Sequence, residues 1–120
     1  AGRLRVCRYT KASGLMARFK AIYADFGSLD AERLTDARDF LCRHIDVLVI
    51  DELHETQDMK LRDRLLSDIL DRRYAARRDT ILISNQTPEQ FEQSTPDSII
   101  SRLQEHGGVI PCDWKSFREK

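Results

Sequence analysis

The stretch Asp46-Val47-Leu48-Val49-Ile50-Asp51-Glu52 constrains this chain more than any other: four consecutive aliphatic residues end in two adjacent carboxylates. A run this short, rich in β-branched side chains and free of internal charge, fits a parallel strand covered on both faces better than a solitary buried helix. Asp51 and Glu52 then fall at the strand's carboxyl end, where open α/β sheets bind ligands. Adjacent acids there suit Mg²⁺ and a water molecule. Asp51 would hold the metal, directly or through its water shell, and Glu52 would orient or deprotonate a nucleophilic water, as phosphoanhydride hydrolysis requires. A buried strand followed by a solvated acidic turn would leave the same trace, so the pattern takes its meaning from its surroundings.

Those surroundings alternate. Leu4 to Tyr9 interleaves arginines with Leu4, Val6 and Tyr9, as an edge strand does, and Thr10 or Ser13 is placed to cap the next helix. In that helix Leu15, Met16, Phe19, Ile22 and Tyr23 recur at helical spacing. Gly27 and Ser28 break it, and a charged segment with Leu34, Phe40 and Leu41 predicts a shorter helix before the aliphatic run. The longest helix is expected from Asp58 to about Ala76, with Leu61, Leu65, Leu66, Ile69, Leu70 and Tyr74 on one face and acids and arginines on the other. Thr80 to Ser84 reads as a second buried strand ending in Asn85-Gln86-Thr87-Pro88. Pro88 and Pro96 each open a helix, Gly107-Gly108 stops the second, and Val109 to Cys112 reads as a last short strand. The pattern predicts right-handed crossovers and a mainly parallel sheet.

A chain of 120 residues predicts a single domain over residues 1–120. Its 20 basic and 20 acidic residues balance, and no apolar run approaches the ~18 residues that a membrane helix needs. Without a secretory signal, and with Cys7, Cys42 and Cys112 far apart, the expectation is a cytoplasmic protein with reduced thiols. Before Asp25 the chain carries Arg3, Arg5, Arg8, Lys11, Arg18 and Lys20 without an acid, a bias that suits phosphate, nucleic acid or an edge strand blunted by charge.

Val47-Leu48-Val49-Ile50-Asp51-Glu52-Leu53, the helix ending Arg72-Arg73-Tyr74, Thr80 to Gln86, Ser101-Arg102-Leu103 and Trp114-Lys115-Ser116-Phe117-Arg118 follow one another in an informative order. That order and approximate spacing resemble the AAA+ ATPases of the DnaC-type helicase loaders and IstB-type transposition helpers. The resemblance implies a three-layer αβα fold of the P-loop NTPase type. It implies that Asp51 and Glu52 are the Walker B pair, Asp51 binding Mg²⁺ and Glu52 catalytic. Asn85 resembles the sensor 1 residue that holds the attacking water, Arg102 the arginine finger that reaches a neighbouring subunit's nucleotide, and Arg118 the second sensor arginine. The implied cofactors are ATP and Mg²⁺. The implied partners are a replicative helicase, single-stranded DNA and further copies of the chain.

One departure stands beside these matches. No Gly-x-x-x-x-Gly-Lys-Ser/Thr loop exists in the sequence, so the backbone amides and lysine that cradle phosphates are missing. In the family that loop precedes the segment beginning near Leu4. The expectation is therefore the carboxyl-side portion of an ATPase core, inactive by itself. Two other readings compete. Asp51-Glu52-Leu53-His54 resembles the Asp-Glu-x-His motif of superfamily 2 helicases, although Ser84-Asn85-Gln86 departs from the Ser-Ala-Thr that usually follows there. The other is a non-catalytic module whose Arg72, Arg73, Arg77 and Arg78 contact DNA or a helicase. His54-Glu55-x-x-Asp58 resembles a zinc-protease signature, but it directly follows a strand, whereas that motif needs one helix to present both ligands.

Overall fold

The computed structural model describes residues 4–24, 36–56 and 58–112, without the side chains of 21–24. Gly27, Ser28, Leu34, Trp114 and Arg118 lie outside them. The chain divides into two compact units, residues 1–85 and 86–120.

The first unit is an α/β layer. Its strands β1 (Cys7–Lys11), β2 (Val47–Asp51) and β3 (Asp79–Leu82) form a parallel sheet in the order β1-β2-β3. Helix α1 (Ala12–Ala24) follows β1, a π-helical segment (Phe40–His44) precedes β2, and α2 (Met59–Ala75) joins β2 to β3. Strands laid side by side in chain order need crossovers of one hand, which puts both helices on one face of the sheet. In agreement, α1 and α2 touch each other. Between them and the sheet lies the core: Leu15, Met16 and Phe19 from α1, Leu48 and Ile50 from β2, and Leu65, Leu66 and Ile69 from α2.

Register explains where β1 sits. The alternation predicts Leu4 to Tyr9, but a strand persists only where a ladder partner exists, and β2 offers one to Cys7 through Lys11. This shift brings Lys11 opposite Asp51. The predicted caps of α1 are not used: Ser13 lies within the helix, and the Thr10 hydroxyl donates to the Lys11 carbonyl. In β2 only alternate residues are fully buried, where coverage on both faces was expected. On the face away from the helices, Tyr9 and Ile81 remain exposed.

Helix α2 keeps its predicted bounds. Asp58 caps it, its carboxylate accepting from the Leu61 amide at 3.0 Å. Its buried stripe, however, is Arg62, Leu65, Leu66, Ile69 and Arg73, while Tyr74 is exposed. Two positions expected among the solvated charges are thus inside, because loop carbonyls there need donors. Arg73, 0% exposed, donates to the carbonyls of Leu41, Ile45 (2.9 Å), Asp46 (3.3 Å) and Asp79 (2.7 Å) and to the Thr80 hydroxyl (2.8 Å). It therefore satisfies the end of the π-helical segment and the starts of β2 and β3 together. The helix terminates in a Schellman turn, Arg78 N–H donating to Arg73 O (2.8 Å) and Arg77 N–H to Tyr74 O (2.9 Å), with Arg77 left-handed at φ 57°.

The second unit holds α3 (Pro88–Ser94) and α4 (Asp97–His106). Thr87 and Gln90 form a capping box around Pro88, and Pro96 stands immediately before α4 as predicted. No strand forms at Val109 to Cys112, which corrects the expectation. Val109 and Ile110 are exposed, and a strand without a ladder partner leaves its backbone groups to water.

Candidate functional site

The acids stand at the carboxyl end of the central strand, as expected. Asp51 closes β2, and Glu52 follows in a left-handed conformation, φ 56° and ψ 47°. Leu53 then turns into the core, 1% exposed, and opens a 3₁₀ turn (Leu53–Glu55). Its amide donates to the Ile83 carbonyl at 3.2 Å, and Ile83 N–H donates to Ile50 O at 2.8 Å, so the end of the β3 segment is tied beside the acidic turn. Asn85 follows two residues later and is exposed.

Both oxygens of Asp51 have donors. The Glu52 amide binds Oδ1 at 2.7 Å, and the Tyr9 phenol, two residues before the register position opposite Asp51, donates to Oδ2. The Tyr9 hydrogen bond is the main influence holding the Asp51 carboxyl below its ordinary range, with further help from the Glu52 amide, Lys11 and His54 and some opposition from desolvation. The same bond raises the Tyr9 phenol. Lys11 places its ammonium 3.6 Å from Glu52 Oε2. Tyr9, which sequence reading assigns to an edge strand, and Lys11, which it counts only among the basic residues before Asp25, are thus members of the site. The available signal was their position at the end of the strand preceding the acids, which acquires meaning only once β1 is known to pair with β2.

The remaining predicted residues are placed separately. Arg102 lies on α4 in the second unit, half-buried, its guanidinium donating to Ser98 O at 3.1 Å. Arg118 is outside the described residues. Of the basic cluster, Arg72 pairs with Asp68 at 2.8 Å, Arg73 is buried, and Arg78 pairs with the buried Asp46 at 3.1 Å, while Arg77 is exposed. Three of these four guanidiniums are therefore engaged within the protein.

Among the described residues no group of three or more His, Cys, Asp or Glu side chains could hold a metal. Asp51 fits a different pattern, in which Mg²⁺ takes one or two carboxylates and completes its shell with waters and substrate phosphates. The residues present fit the metal side of such a site. They do not fit the phosphate side, because the glycine-rich loop is absent from the sequence.

The chain is 22% identical over 107 residues to the replicative helicase loader DnaC of Escherichia coli K12, a match covering 88% of this chain and 42% of DnaC. DnaC of Shigella flexneri matches with the same identity and coverage. In structure it is similar to AMPPCP-bound DnaA from Aquifex aeolicus, with a TM-score of 0.64 and 17% identity over 88% of this chain and 30% of that one. The chain resembles a DnaC-type AAA+ domain. No protein-family model matches it. The chain spans less than half the length of the curated relatives it matches. Among the described residues, no helix is long and apolar enough to cross a membrane.

Proposed function

We propose that this chain is the carboxyl-side part of an AAA+ core in a DNA replication protein, which acts in its longer form as an ATP-dependent loader of a replicative helicase onto single-stranded DNA. The observation that carries the reading is the Asp51-Glu52 pair at the carboxyl end of the central parallel strand, with the end of the next strand tied beside it. The likeness to a replicative helicase loader supports the biological role, and the likeness to a nucleotide-bound structure supports ATP as ligand. In this reading both units belong to one ATPase core, and the protein works in the cytoplasm as an oligomer.

The roles follow from chemistry. Asp51, ionised and oriented by Tyr9 and its own turn, is the Mg²⁺ ligand, and Mg²⁺ neutralises phosphate charge when bound. Glu52 is the base or orienter for water, Asn85 holds that water, and Arg118 contacts nucleotide. Arg102 reaches a neighbouring subunit's phosphate, coupling hydrolysis to assembly. The isolated chain, lacking the phosphate cradle, is an inactive portion of this machine.

The test uses the longer protein with its phosphate loop. Glu52→Gln should retain ATP binding and lose hydrolysis by about 10²–10⁴-fold, because an amide keeps the carboxylate's shape but cannot accept the proton. Arg102→Ala should bind ATP and hydrolyse it slowly, and mixing it with Glu52→Gln subunits should restore activity at interfaces that join an intact acid to an intact arginine. Wild-type turnover in Glu52→Gln would remove that residue from the mechanism. Absence of complementation, with activity independent of protein concentration, would favour the superfamily 2 alternative.

A further inference from the structure

Arg62 is 1% exposed, yet a methionine or leucine on α2 would fill the same space without burying a charge. Its guanidinium has two described tasks. Nε and Nη2 grip Asp63 Oδ1 at 3.1 and 2.9 Å, and Nη1 donates to the Leu53 carbonyl at 3.2 Å. The first is a contact between sequence neighbours. The second crosses from the helix to the residue that follows Glu52.

Leu53 is held on every side. Its side chain is buried, its N–H is bound by Ile83 O, and its carbonyl accepts from Arg62 and, at 3.4 Å, from the Thr56 hydroxyl. On the other flank Asp51 is fixed by its register opposite Lys11. Glu52 therefore bridges two fixed points, and its left-handed backbone, unfavourable for any residue with a Cβ, persists because both neighbours dictate it. We infer that Arg62 is a positioning residue for Glu52: by anchoring Leu53 it sets the turn that leaves the Glu52 carboxylate at the strand end, within 3.6 Å of Lys11, while the chain enters the core. The inference rests on the proposed role of Glu52 for its functional weight, but its geometry is testable without nucleotide.

The experiment is residue-resolved hydrogen exchange and NMR on this 120-residue chain, comparing wild type with Arg62→Met. Removing a hydrogen bond from a charged donor should accelerate exchange at the Leu53 amide about ten- to a hundredfold, with Ile50 and Ile69 changed far less. The strong intraresidue amide–Hα contact that marks a positive φ at Glu52 should weaken in the same variant. A merely structural Arg62 would instead accelerate Ile50, Leu53 and Ile69 by one common factor. That result, or an unchanged Leu53, would overturn the inference, as would a wild-type Leu53 amide that exchanges without protection. If the methionine variant does not fold, Arg62→Lys is read by the same criterion: selective acceleration at Leu53 supports the inference, and uniform or absent acceleration overturns it. Failure of the ATPase reading would leave these exchange rates as they are, so the two failures remain distinguishable.

Discussion

The two ends of the sheet are built from the same parts and put them to different uses. At the amino end of β2 and β3, the buried Arg73 gathers four carbonyls and a hydroxyl, and Arg77 adopts a left-handed backbone to end α2. At the carboxyl end, the buried Arg62 holds the Leu53 carbonyl, and Glu52 is the left-handed residue. In the first case a guanidinium replaces water for backbone groups that packing has enclosed, and strain accompanies ordinary helix termination. In the second, the strained residue carries an acid at the strand end beside Asp51, and Lys11, which pairs with Glu52, and Tyr9, which donates to Asp51, are themselves exposed. One end maintains the fold and the other holds ionisable groups within reach of solvent.

The largest effect should come from breaking the first end. Arg73→Met removes the guanidinium's donors from that cluster and leaves the Leu41 and Ile45 carbonyls buried, at an expected cost of about 3–5 kcal/mol. That is a large share of the ~5–15 kcal/mol that typically holds a domain together. Urea unfolding followed by circular dichroism measures it. A cost below about 1 kcal/mol would show that the carbonyls find water and that the two ends differ less than their geometry indicates.

A smaller effect of opposite sign tests the strain. Arg77→Gly relieves a left-handed Cβ while adding chain entropy to the unfolded state, for a net gain of about 0.5–1 kcal/mol. Glu52→Gly relieves a similar strain but also loses the Lys11 contact, an exposed pair worth roughly 0–1 kcal/mol, so its gain should be smaller. The difference between the two thermal midpoints measures how far the second end trades stability for its acid. Equal or reversed gains would remove that distinction.

The smallest change is in titration. A carboxyl whose folded-state pKa is depressed contributes stability above its unfolded pKa and loses it as the pH falls through the folded value. For Asp51 the loss therefore begins near the ordinary value of 3.8 and continues below it. Tyr9→Phe removes the main cause, so the Asp51 midpoint, read by carboxyl ¹³C NMR, should move up toward 3.8, and the small contribution that the depression of this exposed carboxyl makes to stability at neutral pH should be lost with it. An unmoved midpoint would assign the depression to the Glu52 amide and the neighbouring charges instead.

Local signals were legible where one residue type admits one conformation. The start of α2 at Asp58, the helix opened by Pro88 and the aliphatic strand with its acids at the end all follow from short-range chemistry. The helical stripe on α2 was misread at Arg62, Arg73 and Tyr74, because hydrophobicity ranks an arginine as solvent-facing wherever enclosed carbonyls are not visible in the sequence. Val109 to Cys112 has the composition of a strand and forms none, since composition supplies side chains and not a ladder partner.

The sequence by itself determined the α/β class, the parallel strand carrying Asp51 and Glu52, the termini of its capped helices, and the absence of a phosphate loop. These depend on contacts between residues a few positions apart, or on residues simply being present. The tertiary structure alone decided that β1 pairs from Cys7 to Lys11, that Tyr9 and Lys11 therefore meet the acids, and that two arginines lie inside. Register between strands forty residues apart, and the burial of a charge beside unpaired carbonyls, are set by packing between distant segments, which no local pattern encodes.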